Sequence, residues 1–186
     1  MRRTCTWILL ALTVGTKAQA GGVDWKVYGF VERADGDLVC FYDANSVTST
    51  TKLTRVWVKC IFQKELEDYG KQHRDHIRAS ALHKVNNGYV PPFVRLLGVN
   101  SDRAIALTAA EEVADMGEVV QTRGRFQYEL DCAQRKERRL SAYQEDNGKQ
   151  LEDDRPGEWA QLPAESAGAT LADLLCYRAK YDKAAE

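Results

Sequence analysis

Past its first twenty residues the chain lacks any apolar run long enough to cross a bilayer, which takes roughly twenty such residues, so no later membrane span is expected. It also lacks a C-x-x-C pair, a G-x-S-x-G elbow and a glycine-rich phosphate loop. The first absence, with the wide spacing of the cysteines, argues against zinc. The others remove the usual signatures of a serine hydrolase and of a phosphate-loop nucleotide site. Histidine is scarce: His73, His76 and His83 are the three in the chain. His73 and His76 would stand one helical turn apart, but Lys71, Arg74, Arg78 and Lys84 crowd them with positive charge, so a solvated helix face is expected rather than a metal site. Carboxylate pairs such as Glu111-Glu112 and Asp153-Asp154 are sequence neighbours that a helix would point apart, which suits solvation better than acid-base chemistry. Solenoid-type repeats and low-complexity segments are absent as well. No catalytic constellation emerges, no cofactor is implied, and a non-enzymatic protein is expected.

What is present begins with a leader. Arg2 and Arg3, an apolar run from Trp7 to Val14 and the triplet Ala18-Gln19-Ala20 have the layout of a secretory signal with an A-x-A cleavage site, predicting a mature chain that starts at Gly21. Cys5 precedes the apolar run rather than following it, so a lipid anchor is not expected. Residues 21 to 186 are the size of one domain with room for a core. Of the 26 Lys and Arg, three leave with the leader, so 23 face 27 acidic residues and the mature charge is −4. That charge gives no reason to expect nucleic acid. The expected destination is the periplasm or the medium, with the outer cell surface a further option.

Export leaves Cys40, Cys60, Cys132 and Cys176, and an oxidising compartment predicts two disulfides among three connectivities. Residues 25 to 33 and 37 to 43 read as strands joined by a turn at Ala34-Asp35-Gly36, and 53 to 64 as a third strand. Leu38, Cys40 and Tyr42 share one face, as do Val56, Val58, Cys60 and Phe62, so antiparallel pairing would bring Cys40 opposite Cys60.

From 65 to 118 the alternation gives way to a helical insertion. Ile77, Ala81, Leu82 and Val85 fall on one helical face with a stop at Asn86-Asn87-Gly88, and Pro91-Pro92 predicts an extended surface loop over 89 to 102. Thr108 with Glu111 resembles a capping box that would start a short helix ending at Gly117. The stretch 119 to 148 then organises the second half. Val120, Phe126, Tyr128, Leu130 and Cys132 lie on one parity and Gln121, Arg123, Arg125, Gln127, Glu129 and Asp131 on the other, which predicts a strand with one apolar face and one charged face in water. A strand over 138 to 146, a turn at Asp146-Asn147-Gly148 and a polar run over 149 to 158 follow. The last helix is expected to use Thr170 and Asp173 as caps and to bury Leu171, Leu174 and Leu175, with Cys176 at the edge of that face and Cys132 as its partner.

The best functional lead is a basic cluster, Arg135, Lys136, Arg138 and Arg139 with Arg123 and Arg125 upstream. Such a patch engages acidic segments of a protein partner or a sulfated polysaccharide. The competing reading is intramolecular, with these side chains pairing Glu129, Asp131, Glu137 or the acidic run 152 to 154. Trp57 and Tyr143 lie opposite their cysteine-bearing neighbours, either as an interface stripe or as a second core layer beneath the insertion.

Trp25, Tyr42-Asp43-Ala44-Asn45-Ser46-Val47, Arg55-Val56-Trp57-Val58-Lys59, Asp131-Cys132 with Arg135, Arg138 and Arg139, and Trp159, Pro163, Ser166 and Cys176 together resemble the surface-adhesin protein E family of Gram-negative bacteria. The resemblance spans most of the mature chain except about 65 to 118. It implies an α+β fold: an antiparallel sheet of about six strands, a C-terminal helix fastened by a disulfide, self-association, and an adhesin binding host laminin, vitronectin or plasminogen. A periplasmic accessory protein that binds another envelope protein is the alternative. The missing lipid-anchor cysteine and the insertion are departures from the family pattern, and no ligand-binding residue is carried over.

Overall fold

The computed structural model describes residues 22–97, 101–115, 124–146 and 149–177. The leader, Arg123, Gly117 and the turn residues Asn147 and Gly148 lie outside the described residues. The chain is α+β. Strands β1 (Trp25–Val31), β2 (Leu38–Asp43), β4 (Leu53–Phe62), β5 (Arg125–Asp131), β6 (Lys136–Asp146) and β7 (Lys149–Asp153) form an antiparallel sheet in that spatial order. The two-residue strands β3 (Thr48–Ser49) and β8 (Ala160–Gln161) pair with β4 and β6. Among the described residues the insertion carries helices α1 (Gln63–Gln72), α2 (Arg74–Asn86), α3 (Pro92–Leu97) and α4 (Ser101–Asp115), and α5 (Ala167–Cys176) follows the sheet. Among the described residues no helix is long and apolar enough to cross a membrane.

Period-two alternation works on both faces of this sheet. Trp25, Val27, Val39, Phe41 and Ile61 meet Leu66, Ile77, Phe93, Val94, Leu107 and Val113 of the insertion. Cys40, Tyr42, Val56, Val58 and Leu130 meet Ala169, Leu171, Ala172 and Leu174 of α5. The result is three layers: insertion helices, sheet, closing helix. The closing helix comes very near the sheet, since a Cβ built on Gly29 would stand 3.1 Å from the Ala167 Cβ. One built on Gly168 would fall 2.8 Å from a Leu162 methyl and 2.7 Å from a Glu137 oxygen.

Both expected disulfides are present. Cys40 and Cys60 are register partners on β2 and β4, and Cys132 joins Cys176 at the end of α5. A turn in which Asp131 accepts hydrogen bonds from the Ala133 and Gln134 amides carries the chain from β5 to β6, and Arg135 takes a left-handed φ of 52° to complete it.

Four expectations are corrected. The segment after Pro91-Pro92 is helical, because Pro92 sits at the first helical position, where its missing N–H costs nothing and its fixed φ suits the helix; Phe93 and Val94 are then buried. Helix α4 begins at Ser101, not Thr108, which lies inside it and donates its hydroxyl to the Ala104 carbonyl at 2.8 Å. Ser166, not Thr170 or Asp173, caps α5, its hydroxyl accepting from the Ala169 amide at 3.1 Å. The polar run after residue 148 contains a strand, since an edge strand needs backbone pairing and tolerates charge on both faces.

The other edge of the sheet is closed by side chains. Successive carboxylates one turn apart on α4 take the outward amides of β1: the Trp25 N–H donates to Asp115 at 2.8 Å and the Val27 N–H to Glu111 at 3.1 Å. Lys59 of β4 donates to the Ala114 carbonyl at 2.7 Å, where a cation suits the C-terminal end of a helix. These three contacts fasten the insertion to the sheet.

Candidate functional site

The cysteine-free face of β4 to β7 carries the candidate site, and pairing register assembles it. Arg55, Trp57 and Lys59 alternate along β4 and lie opposite Glu129, Gln127 and Arg125 of β5. Arg125 lies opposite Tyr143, and Tyr143 opposite Glu152. Between β5 and β6 the register shifts: Gln127 pairs Ser141 and Tyr128 pairs Arg139, leaving Leu140 as the extra residue. That bulge reverses parity along β6, so Arg138 joins Tyr143 on this face.

Glu129 lies at the centre with its side chain fully buried. Arg55 donates to one oxygen at 2.7 Å and Arg138 to the other at 2.8 and 2.5 Å. Burial works to raise its pKa, but the two guanidinium groups outweigh burial and hold the carboxyl below the usual range. The Arg138 guanidinium also lies 4.7 Å from the ring centre of half-exposed Trp159. The expectation of a charged face in water is therefore corrected at Glu129: flanking arginines cover it.

Beside this cluster Val23, Trp25, Asp43, Trp57, Arg125, Tyr143 and Glu152 line a solvent-open cleft of about 380 Å³. Trp25 is buried, its ring covered by the Lys59 ammonium at 4.2 Å. Burial and the neighbouring Arg125 charge lower the Lys59 pKa to about 8. Asp43 is committed, accepting the Asp24 and Asn45 amides. Arg125 and Glu152 are exposed and Tyr143 is half-buried, and none of the three has a hydrogen-bond or ion-pair partner among the described residues. Trp57 is half-buried against the insertion core, so it is both second core layer and cleft wall.

The predicted basic cluster is dispersed. Arg135 pairs with Asp173 of α5 at 2.9 Å, Arg138 with Glu129, and Arg139 with Asp153 at 3.3 Å. Lys136 is half-buried at the start of β6, and Arg125 stands apart in the cleft. The three histidines are exposed, His73 between α1 and α2 and His76 and His83 on α2; His73 stacks on Tyr69 and His83 contacts Asn87. Among the described residues no three His, Cys, Asp or Glu side chains converge as a metal site. Comparison of the chain with family models, with curated proteins and with solved structures yields no match.

Sequence reasoning gave Asp43 and Asp115 no role of their own, set Glu152 among partners for the arginines, and read Glu111 as a capping-box member and solvated charge, whereas Glu111 is buried. Glu111 and Asp115 had a signal: acids four apart on a helix with five Ala and one each of Ile, Leu and Val mark a face that is buried and has polar work to do. Glu111 is almost wholly buried and takes the Tyr89 hydroxyl at 2.5 Å beside the Val27 amide. Burial pushes its pKa up to about 7 against the opposing pull of Tyr89, Lys26 and Val27.

Proposed function

We propose that this chain is an exported, non-enzymatic binding protein that presents a disulfide-stapled sheet to its partner. The observation that carries the reading is the cleft: Arg125, Tyr143 and Glu152 sit on strands held by dense backbone pairing, their side chains uncommitted among the described residues, beside the aromatic wall of Trp57. Rigid elements presenting unpaired polar groups around an aromatic anchor suit recognition, because little ordering is required on binding. The two disulfides suit an oxidising compartment. By its resemblance to the surface-adhesin protein E family, the partner is a host matrix or serum protein such as laminin, vitronectin or plasminogen. The second reading, a periplasmic accessory protein, shares the architecture and differs in location.

The test combines location with capture. The protein is expected on intact cells or in the medium, and the oxidised protein is expected to retain a partner from host-matrix extract. Release by osmotic shock alone, with capture of envelope proteins alone, would favour the accessory reading. Capture from neither extract would remove the binding proposal.

A further inference from the structure

The proposal above leaves open what chemistry the cleft recognises, and its geometry narrows the choice. Arg125 and Tyr143 are register partners, which places their Cβ atoms roughly 5 Å apart, and Trp57 is the diagonal neighbour of Arg125 on the other side, roughly 7–8 Å away. Trp57 and Tyr143 are separated by two inter-strand spacings and one pleat repeat, roughly 12 Å between backbones, enough for a flat or puckered six-membered ring to lie between their side chains. Glu152 continues the row beyond Tyr143.

The cleft offers one cationic fork, one phenol hydroxyl and one carboxylate acceptor, none committed among the described residues. A guanidinium matches a carboxylate in bidentate fashion, and an exposed carboxylate accepts well from hydroxyl groups. Aromatic walls take the C–H faces of a saturated ring. A peptide strand is poorly served here, because Trp57, Arg125 and Tyr143 lie on the face of central strands β4, β5 and β6, whose backbone amides and carbonyls are already spent in the ladders on both sides. A hydroxyl-rich ring needs only side-chain partners.

We propose that the cleft bounded by Trp57, Arg125, Tyr143 and Glu152 binds a carboxylate-bearing sugar ring, with Arg125 on the carboxylate, Trp57 and Tyr143 on the ring, and Glu152 on its hydroxyls. The inference rests on the binding-protein reading and specifies its ligand chemistry. It places recognition in Arg125 and leaves Arg135, Arg138 and Arg139 to their internal carboxylates.

The test titrates oligogalacturonate, neutral maltotetraose and an oligoglutamate peptide into the oxidised protein, read by intrinsic tryptophan fluorescence and by calorimetry. Saturable binding of oligogalacturonate is expected, with maltotetraose much weaker. Arg125→Gln should weaken binding by about tenfold or more, as expected for removal of charge-assisted bonds. Its melting midpoint should hold, since the side chain is exposed. Tyr143→Phe should weaken binding without removing the wall, and Arg135→Gln, away from the cleft, should leave it unchanged. Sugar binding indifferent to Arg125→Gln would overturn the proposal. So would Arg125-dependent binding of oligoglutamate with none of the sugar, although the binding-protein reading would then survive. Absence of binding to all three probes overturns the sugar assignment, and the extract capture described above decides separately whether the broader reading falls with it.

Discussion

Glu111 shows how a single buried carboxylate can set a pH response. Its folded pKa stands near 7 against 4.5 for a free side chain, with Tyr89, Lys26, Lys84, Asp24 and Asp115 around it. A raised folded pKa means the folded state holds the proton more tightly than the unfolded chain. The associated stability is therefore fully present below about pH 4.5 and lost as pH rises through 7, with a span of about 3 kcal/mol. Glu111→Gln keeps an acceptor for the Val27 amide without the charge. It should match the parent near pH 4 and exceed it near pH 8 in urea unfolding; parallel pH profiles for the two proteins would show that the carboxyl is not the source. At the sheet centre, Arg138→Ala leaves fully buried Glu129 with Arg55 as its one guanidinium partner, and Arg55 is half-exposed. The expected loss is about 1–3 kcal/mol, the cost of under-satisfying a buried charged acceptor, and a denaturation midpoint equal to the parent's would contradict the assigned role.

Among the elements, α5 depends on two glycines and one disulfide. A side chain at Gly168 meets Glu137 and Leu162 below 3 Å, and one at Gly29 meets Ala167. Gly168→Val should therefore lift the helix and cost about 1–3 kcal/mol through overpacking, whereas Gly22→Ala, with nothing within 4 Å of the added carbon, serves as a neutral control. Cys176→Ser should cost about 2–5 kcal/mol, the usual loss for a native bridge in a small secreted domain. Its first symptom should be faster amide exchange across α5 than across β4 and β5; uniform protection would mean that packing of Leu171 and Leu174 alone holds the helix. The β6 bulge works at the same scale. With one residue more than its partner strand, β6 turns Arg138 onto the face of Glu129 and Tyr143 rather than away from it.

For the whole molecule, the architecture separates a closed edge from an open face. The insertion seals β1 with Glu111 and Asp115 and leaves the row of Arg125, Tyr143 and Glu152 available on β5 to β7. A sheet so arranged presents its face rather than an unpaired β1 edge, which limits unplanned strand addition at that end.

Much of this was legible in the chain itself. The Cys40 and Cys60 pairing followed from alternation on neighbouring strands, and the Cys132 and Cys176 pairing from a helix whose apolar face ends in cysteine. Strand positions and the α2 helix face followed from local periodicity, because side-chain direction repeats every two or 3.6 residues whatever the surroundings. What tertiary structure alone decided was which charged residues are spent and which are free. Six basic residues looked equivalent in sequence, yet Arg135, Arg138 and Arg139 found carboxylates 38, nine and 14 residues away while Arg125 has no such partner among the described residues. That partition depends on strand register, on one extra residue at Leu140 and on the reach of α5. Each is fixed by backbone hydrogen bonds between distant segments, and local composition carries no trace of them.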